Sequence, residues 1–244
     1  MALRDAMNSS TIICIPGTWE NRTEITTTIA HCRKFLFAGM VILDLQTNKS
    51  CELEIYEYDP NLLKSFEIAG QGCIPKEVLA NISLHKYTLY AVAESPSIET
   101  ATWMLKLGTS LLDAGGLAVK VESAGLAHTA ENWRVLTADS SLPSLYNAFV
   151  TLIGGQAYYY SCGMHNFGWP DVSLSRSIAP QEASQILNDF NYYQLSEKPN
   201  LENGHTFSTD IEAPKFKILH KQYEGYDDSD PLYNPFGCWH LEEL

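Results

Sequence analysis

Phe35-Leu36-Phe37-Ala38-Gly39-Met40-Val41-Ile42-Leu43-Asp44-Leu45 runs into Gln46-Thr47-Asn48-Lys49-Ser50 and then into Cys51-Glu52-Leu53-Glu54-Ile55. The first string is rich in aliphatic side chains and reads as core. The second is polar turn chemistry. The third alternates apolar and acidic residues, as a strand with one wet face must. Together they predict a β-hairpin, with a bulge at Tyr56 where the alternation loses its phase. Asp59-Pro60 then predicts a helix start, with Asp as N-cap and Pro in the first turn. Leu62, Leu63, Phe66 and Ala69 form that helix's apolar stripe, and Gly70 stops it.

Outward from this stretch, strands are predicted over 11–16, 87–93, 117–121, 148–153, 157–162 and 216–220. Helices are predicted from Pro75, with Val78, Leu79 and Ile82 inward, and over 97–113, 129–136 and 180–190. In the last of these, Ala183, Ile186, Leu187 and Phe190 repeat at helical spacing. The polar run 194–204 reads as a loop or an internal boundary. Strands and helices do not alternate regularly, which predicts an α+β fold: mixed, largely antiparallel sheets packed with helices, in one domain over 1–244, with any subdivision near 194–204.

Asp and Glu number 29 against 16 Lys and Arg, a formal net charge of −13. Such a surface repels phosphate, which argues against direct nucleic-acid binding and suits a basic protein partner, although acidity also serves solubility. No stretch of about 18 apolar residues and no secretory leader pattern is seen, so a cytoplasmic protein with no membrane association is expected. The six cysteines form no C-x-x-C pair and read as reduced thiols.

Four places invite chemistry. Lys120 and Glu122 project from one face of a strand, and a turn at Gly125 would return His128 toward them. With His165 they would form an acid–base pocket for an enzyme of unassigned class. A surface ion pair with a hydrogen-bonded histidine is the plainer reading, and no catalytic residue is assigned. Cys162-Gly163-Met164-His165-Asn166-Phe167-Gly168-Trp169-Pro170-Asp171 implies a tightly specified backbone. Cys162, His165, Cys238 and His240 form one alternative zinc set; no metal and no cofactor are assigned. Tyr223, Glu224, Tyr226, Asp227, Asp228 and Asp230 mix acids with tyrosines, as a docking surface for a basic protein does. Trp239 and Leu241, after the Asn234-Pro235 and Phe236-Gly237 turns, read as a strand sealing the core. P-loop, dinucleotide, nucleophile-elbow and H-E-x-x-H motifs are lacking.

Ala114-Gly115-Gly116-Leu117-Ala118-Val119-Lys120-Val121-Glu122, His128, Trp133 and the string from Cys162 to Asp171 resemble bacterial proteins grouped with domain of unknown function 4261. Asn234-Pro235-Phe236-Gly237-Cys238-Trp239 is similar to the ends of related accessory and immunity-type proteins. The resemblance supplies no catalytic set. It implies association with toxin or type VI secretion loci. The expected function is therefore a non-enzymatic immunity-type protein that binds and occludes a basic bacterial toxin, with an assembly or accessory factor of a secretion system as a further alternative.

Overall fold

The computed structural model describes residues 9–222 and 226–244. Among them are two sheets and seven α-helices, and the fold is α+β. The first sheet has the order β2-β3-β4-β5-β1-β6-β7. Its strands are β1 (Ser10–Gly17), β2 (Phe35–Ala38), β3 (Val41–Asp44), β4 (Ser50–Glu57), β5 (Tyr87–Glu94), β6 (Ala118–Val121) and β7 (Leu126–Thr129). Every pairing in it is antiparallel.

The apolar run 35–45 is two strands rather than one. Gly39, at φ 65°, makes the tight turn between β2 and β3, a conformation that costs glycine nothing. These strands form an edge of the sheet, and Leu36, Met40, Val41 and Leu45 are about half exposed, so the run is only partly core. Asp44 is held at the following turn, accepting from the Gln46 and Thr47 amides and from Trp103 Nε1. β4 pairs with β5 without interruption through Tyr56↔Thr88, so the expected bulge is absent there.

The two faces of the first sheet are covered differently. On one lie α1 (Arg22–His31), α4 (Ile98–Asp113), α5 (Ala130–Asp139) and α6 (Leu142–Phe149), which bury Ile13, Ile15, Val119 and Val121. α4 starts where Ser97 Oγ accepts the Thr100 amide, and its wide apolar face buries Trp103, Met104, Leu107 and Leu111. The helix at Asp59-Pro60 begins two residues late: Asp59 Oδ1 accepts the Asn61 amide, and α2 spans Leu62–Ala69. With α3 (Lys76–Ile82) it covers the other face, over Cys14, Ala118 and Ala127.

The second sheet has the order β11-β12-β13-β10-β9-β8. It comprises β8 (Thr151–Gly154), β9 (Tyr158–Cys162), β10 (Asp171–Ser175), β11 (Thr206–Phe207), β12 (Phe216–Lys221) and β13 (Cys238–Glu243). Only β10 with β13 is parallel. α7 (Pro180–Glu197) packs on one face, seating Ala183, Leu187 and Phe190 against Val172, Leu174, Ile218 and Leu241. It runs past the expected loop at 194, because Leu195 also packs into the core of the first sheet. Trp239 and Leu241 seal the α7 side, as expected.

Candidate functional site

The string 162–171 is a loop built around a buried carboxylate. Gly163 has φ 118°, and a Cβ there would lie 2.1 Å from the Phe149 carbonyl oxygen, so glycine is required by both torsion and space. A short 3-10 turn (Met164–Phe167) follows, and β10 begins at Asp171. Asp171 is 1% exposed. Its Oδ1 accepts from Ser161 Oγ at 3.0 Å and from the Met164 amide at 3.2 Å, and its Oδ2 accepts from Asn234 Nδ2 at 2.6 Å. Burial drives its pKa up to about 7, while the hydrogen bonds from Asn234, Met164 and Ser161 pull the other way. All three partners are donors, so the hydrogen bonds favour the ionised form while burial favours the protonated one.

That carboxylate fixes the position of the acidic segment ahead of β13. Asn234 also donates to the Trp169 carbonyl at 3.0 Å and accepts the Phe236 amide at 2.9 Å. Upstream, Asp227 Oδ1 accepts from the Ser229 amide and hydroxyl, and Asp230 Oδ1 accepts the Leu232 amide at 2.8 Å. Tyr226 is hydrogen-bonded to Tyr160 of β9; burial first, then that bond, raises its phenol. Asp227 and Asp228 are exposed, and Asp230 is half-buried. Tyr223 and Glu224, expected in the same surface, lie outside the described residues.

Two depressions flank this segment. One, of about 260 Å³, is lined by Ser9, Ile12, His165, Asp228, Asp230 and Tyr233 among others. The other, of about 700 Å³, lies on the second sheet, lined by Tyr158, Tyr160, Ser173, Lys221, Cys238 and His240. In the latter, Ser173 Oγ and His240 Nδ1 are 3.1 Å apart, and the Lys221 ammonium sits 5.6 Å over the Tyr158 ring.

The four residues considered for acid–base chemistry are not all brought together. Lys120 and Glu122 meet at 2.7 Å, with side chains 12% and 18% exposed, and Lys120 also donates to Ser65 Oγ. The Cys14 thiol is buried in the same cluster. Burial and the Glu122 carboxylate raise it well above its usual value, so it stays protonated. Gly125 does turn the chain back, but His128 pairs across from Val119 rather than Lys120 and so faces the other side of the sheet. There it lies against Trp133, with Nε2 donating to the Ala148 carbonyl at 3.1 Å and Nδ1 accepting from Asn132 at 3.0 Å. Burial lowers it to about 4. His165 lines the smaller cavity, which none of the other three lines.

The zinc alternative is not supported either. Cys238 and His240 line the second-sheet depression and His165 the other, and no group of three or more metal-binding side chains occurs among the described residues. Reading the sequence missed Asp171, Ser161 and Asn234 as a unit. The signal was the glycine-rich string itself, which demanded an anchor without naming it.

Residues 160–242 match the family model described as Domain of unknown function (DUF4261). No curated protein and no solved structure matches the chain. The matched stretch contains Ser161, Asp171 and Asn234, and every fully buried member of the core between α7 and the second sheet. The strings around Lys120, His128 and Trp133, which carried part of the resemblance, fall outside it. The matched stretch spans β10 to β13, α7 and the acidic segment, and leaves β8 outside.

Proposed function

We propose that the chain is a non-enzymatic protein-binding module of the immunity type, which holds and occludes a basic bacterial toxin domain at the acidic segment 226–230. The observation that carries this reading is the fixed geometry of that segment. Acidic side chains on a floating loop would lose conformational entropy on binding, and a loop already ordered loses less. Here Asp227 and Asp230 are each tied by hydrogen bonds to the loop's own backbone, and Asn234 ties the loop to buried Asp171. Asp228 extends from it, exposed.

Charge supports the same reading. A chain of net charge −13 attracts basic partners over a distance, and the rim acids then set the encounter rate. Tyr160, Tyr226 and Tyr233 around the segment offer the amphipathic contact area that anchors interfaces. The test is protection. Cells expressing a toxin encoded beside this chain should survive when the wild type is co-expressed, and a folded Asp227→Asn/Asp228→Asn/Asp230→Asn variant should protect poorly. Full protection by that variant would remove the segment from the interface.

A further inference from the structure

The smaller cavity is bordered by buried polar atoms without hydrogen-bond partners among the described residues. His165 is 1% exposed, and neither Nδ1 nor Nε2 has a hydrogen-bond partner among the described residues. The Pro231 carbonyl favours the charged ring without completing a hydrogen bond, whereas burial dominates and lowers the imidazole to about 4. The hydroxyl of Ser9, also buried and also lining the cavity, is unpartnered among the described residues too. Buried polar atoms are nearly always paired, and a buried imidazole and a buried hydroxyl short of partners at the wall of one cavity point to a polar guest.

The chemistry of the walls selects the guest. Asp228 offers a carboxylate with no hydrogen bond among the described residues, and Asp230 uses one oxygen on the Leu232 amide and keeps the other. A neutral imidazole and a hydroxyl add acceptor sites without positive charge. Anions are therefore rejected, and a cation with several N–H groups is favoured. At about 260 Å³ the cavity lies below the roughly 300–1,000 Å³ of drug-sized sites, so it suits a single side chain or a molecule of that size. Ile12 and Tyr233 supply apolar and aromatic wall, which suits a flat, weakly hydrated guanidinium better than a compact, strongly hydrated ammonium.

We infer that this cavity receives a guanidinium group, and that its source is an arginine side chain of the protein partner. The source rests on the function proposed above; the chemistry of the cavity does not. The probe is Nα-acetylarginine amide, titrated into the full chain while the ring-nitrogen NMR signals of His165 are followed. Capped lysine and capped citrulline, the latter close in shape to arginine but uncharged, serve as comparisons.

Saturable binding of capped arginine in the roughly millimolar range fits one buried side chain. Capped lysine should bind weaker, and citrulline should not bind. Asp228→Asn/Asp230→Asn should weaken capped arginine by about tenfold or more, as loss of charge-assisted hydrogen bonds implies. His165→Gln, checked for native near-ultraviolet dichroism, should bind with a changed arginine-to-lysine preference. Unmoved His165 signals, or citrulline binding as well as arginine, would overturn the cavity's assignment. If a toxin-like partner binds but capped arginine does not, the cavity assignment falls and the proposed function stands. If capped arginine binds and no partner is found, the cavity chemistry stands, and both the partner as its source and the proposed function fall.

Discussion

Asn234 places its amide 2.6 Å from the buried carboxylate of Asp171, 63 residues away in the chain. This contact joins the loop between β9 and β10 to the acidic segment ahead of β13.

Asp171→Ala should therefore destabilise strongly. It leaves Ser161, Met164 and Asn234 with buried donors facing no acceptor, each worth about 1–3 kcal/mol. A loss of at least about 3 kcal/mol in urea unfolding is expected. Asn234→Ala should cost less and should loosen residues 226–233 selectively, read as faster amide hydrogen exchange there than in α4.

Glycine 163 provides a steric counterpart. Gly163→Ala forces a Cβ against the Phe149 carbonyl in a left-handed backbone, whereas Gly39→Ala, also at positive φ, meets nothing within 4 Å. The first should cost several times the second, which pays only the roughly 1 kcal/mol torsional penalty. Equal losses in thermal unfolding would contradict the packing described around residue 163.

Acid should weaken the fold through its histidines. His165 sits at about 4 in the folded chain against 6.5 when free, so its contribution is fully present above pH 6.5 and is lost as pH falls toward 4. His128 behaves alike. Asp171, raised from 3.8 to about 7, acts oppositely: the folded state binds the extra proton, and stability falls as pH rises between those values. Between pH 4.5 and 6, His165→Gln should therefore flatten the pH slope of unfolding free energy by about 1.4 kcal/mol per pH unit relative to wild type. An unchanged slope would mean that His165 titrates normally.

Lys120 and Glu122 should behave as a structural pair. Lys120→Met strands a mostly buried carboxylate beside Cys14 and should cost about 2 kcal/mol, less than the 3–5 kcal/mol of a fully buried pair because both side chains keep some exposure. Adding Glu122→Gln should recover part of that loss in a double-mutant cycle. Additive losses would show that the two do not interact.

Much of the secondary structure was legible because periodicity and turn residues agree locally. Ser97 caps α4, Gly70 stops α2, and the alternation 51–55 lies in β4. Helices α1 and α6 were missed. α1 carries consecutive threonines that favour strands and buries only Ile25 and Ile29, so its apolar stripe is thin. α6 runs directly into β8, and the strand predicted over 148–153 takes in its last two residues, while 142–147 carries no clear periodic signal. The candidate site was less legible for a topological reason. Sequence placed Lys120 and His128 near each other, but the antiparallel register put them on opposite faces. Asp171 and Asn234 meet because β10 pairs in parallel with β13, a long-range pairing that no local pattern encodes.

The most direct test of the central claim is a calorimetric titration of a purified toxin-like partner, captured from the native host, into the chain at low and moderate salt. The account predicts a one-to-one complex that weakens with salt and is weakened about tenfold or more by Asp227→Asn/Asp228→Asn/Asp230→Asn, as lost charge-assisted contacts imply. An affinity indifferent to both salt and that triple substitution would contradict it.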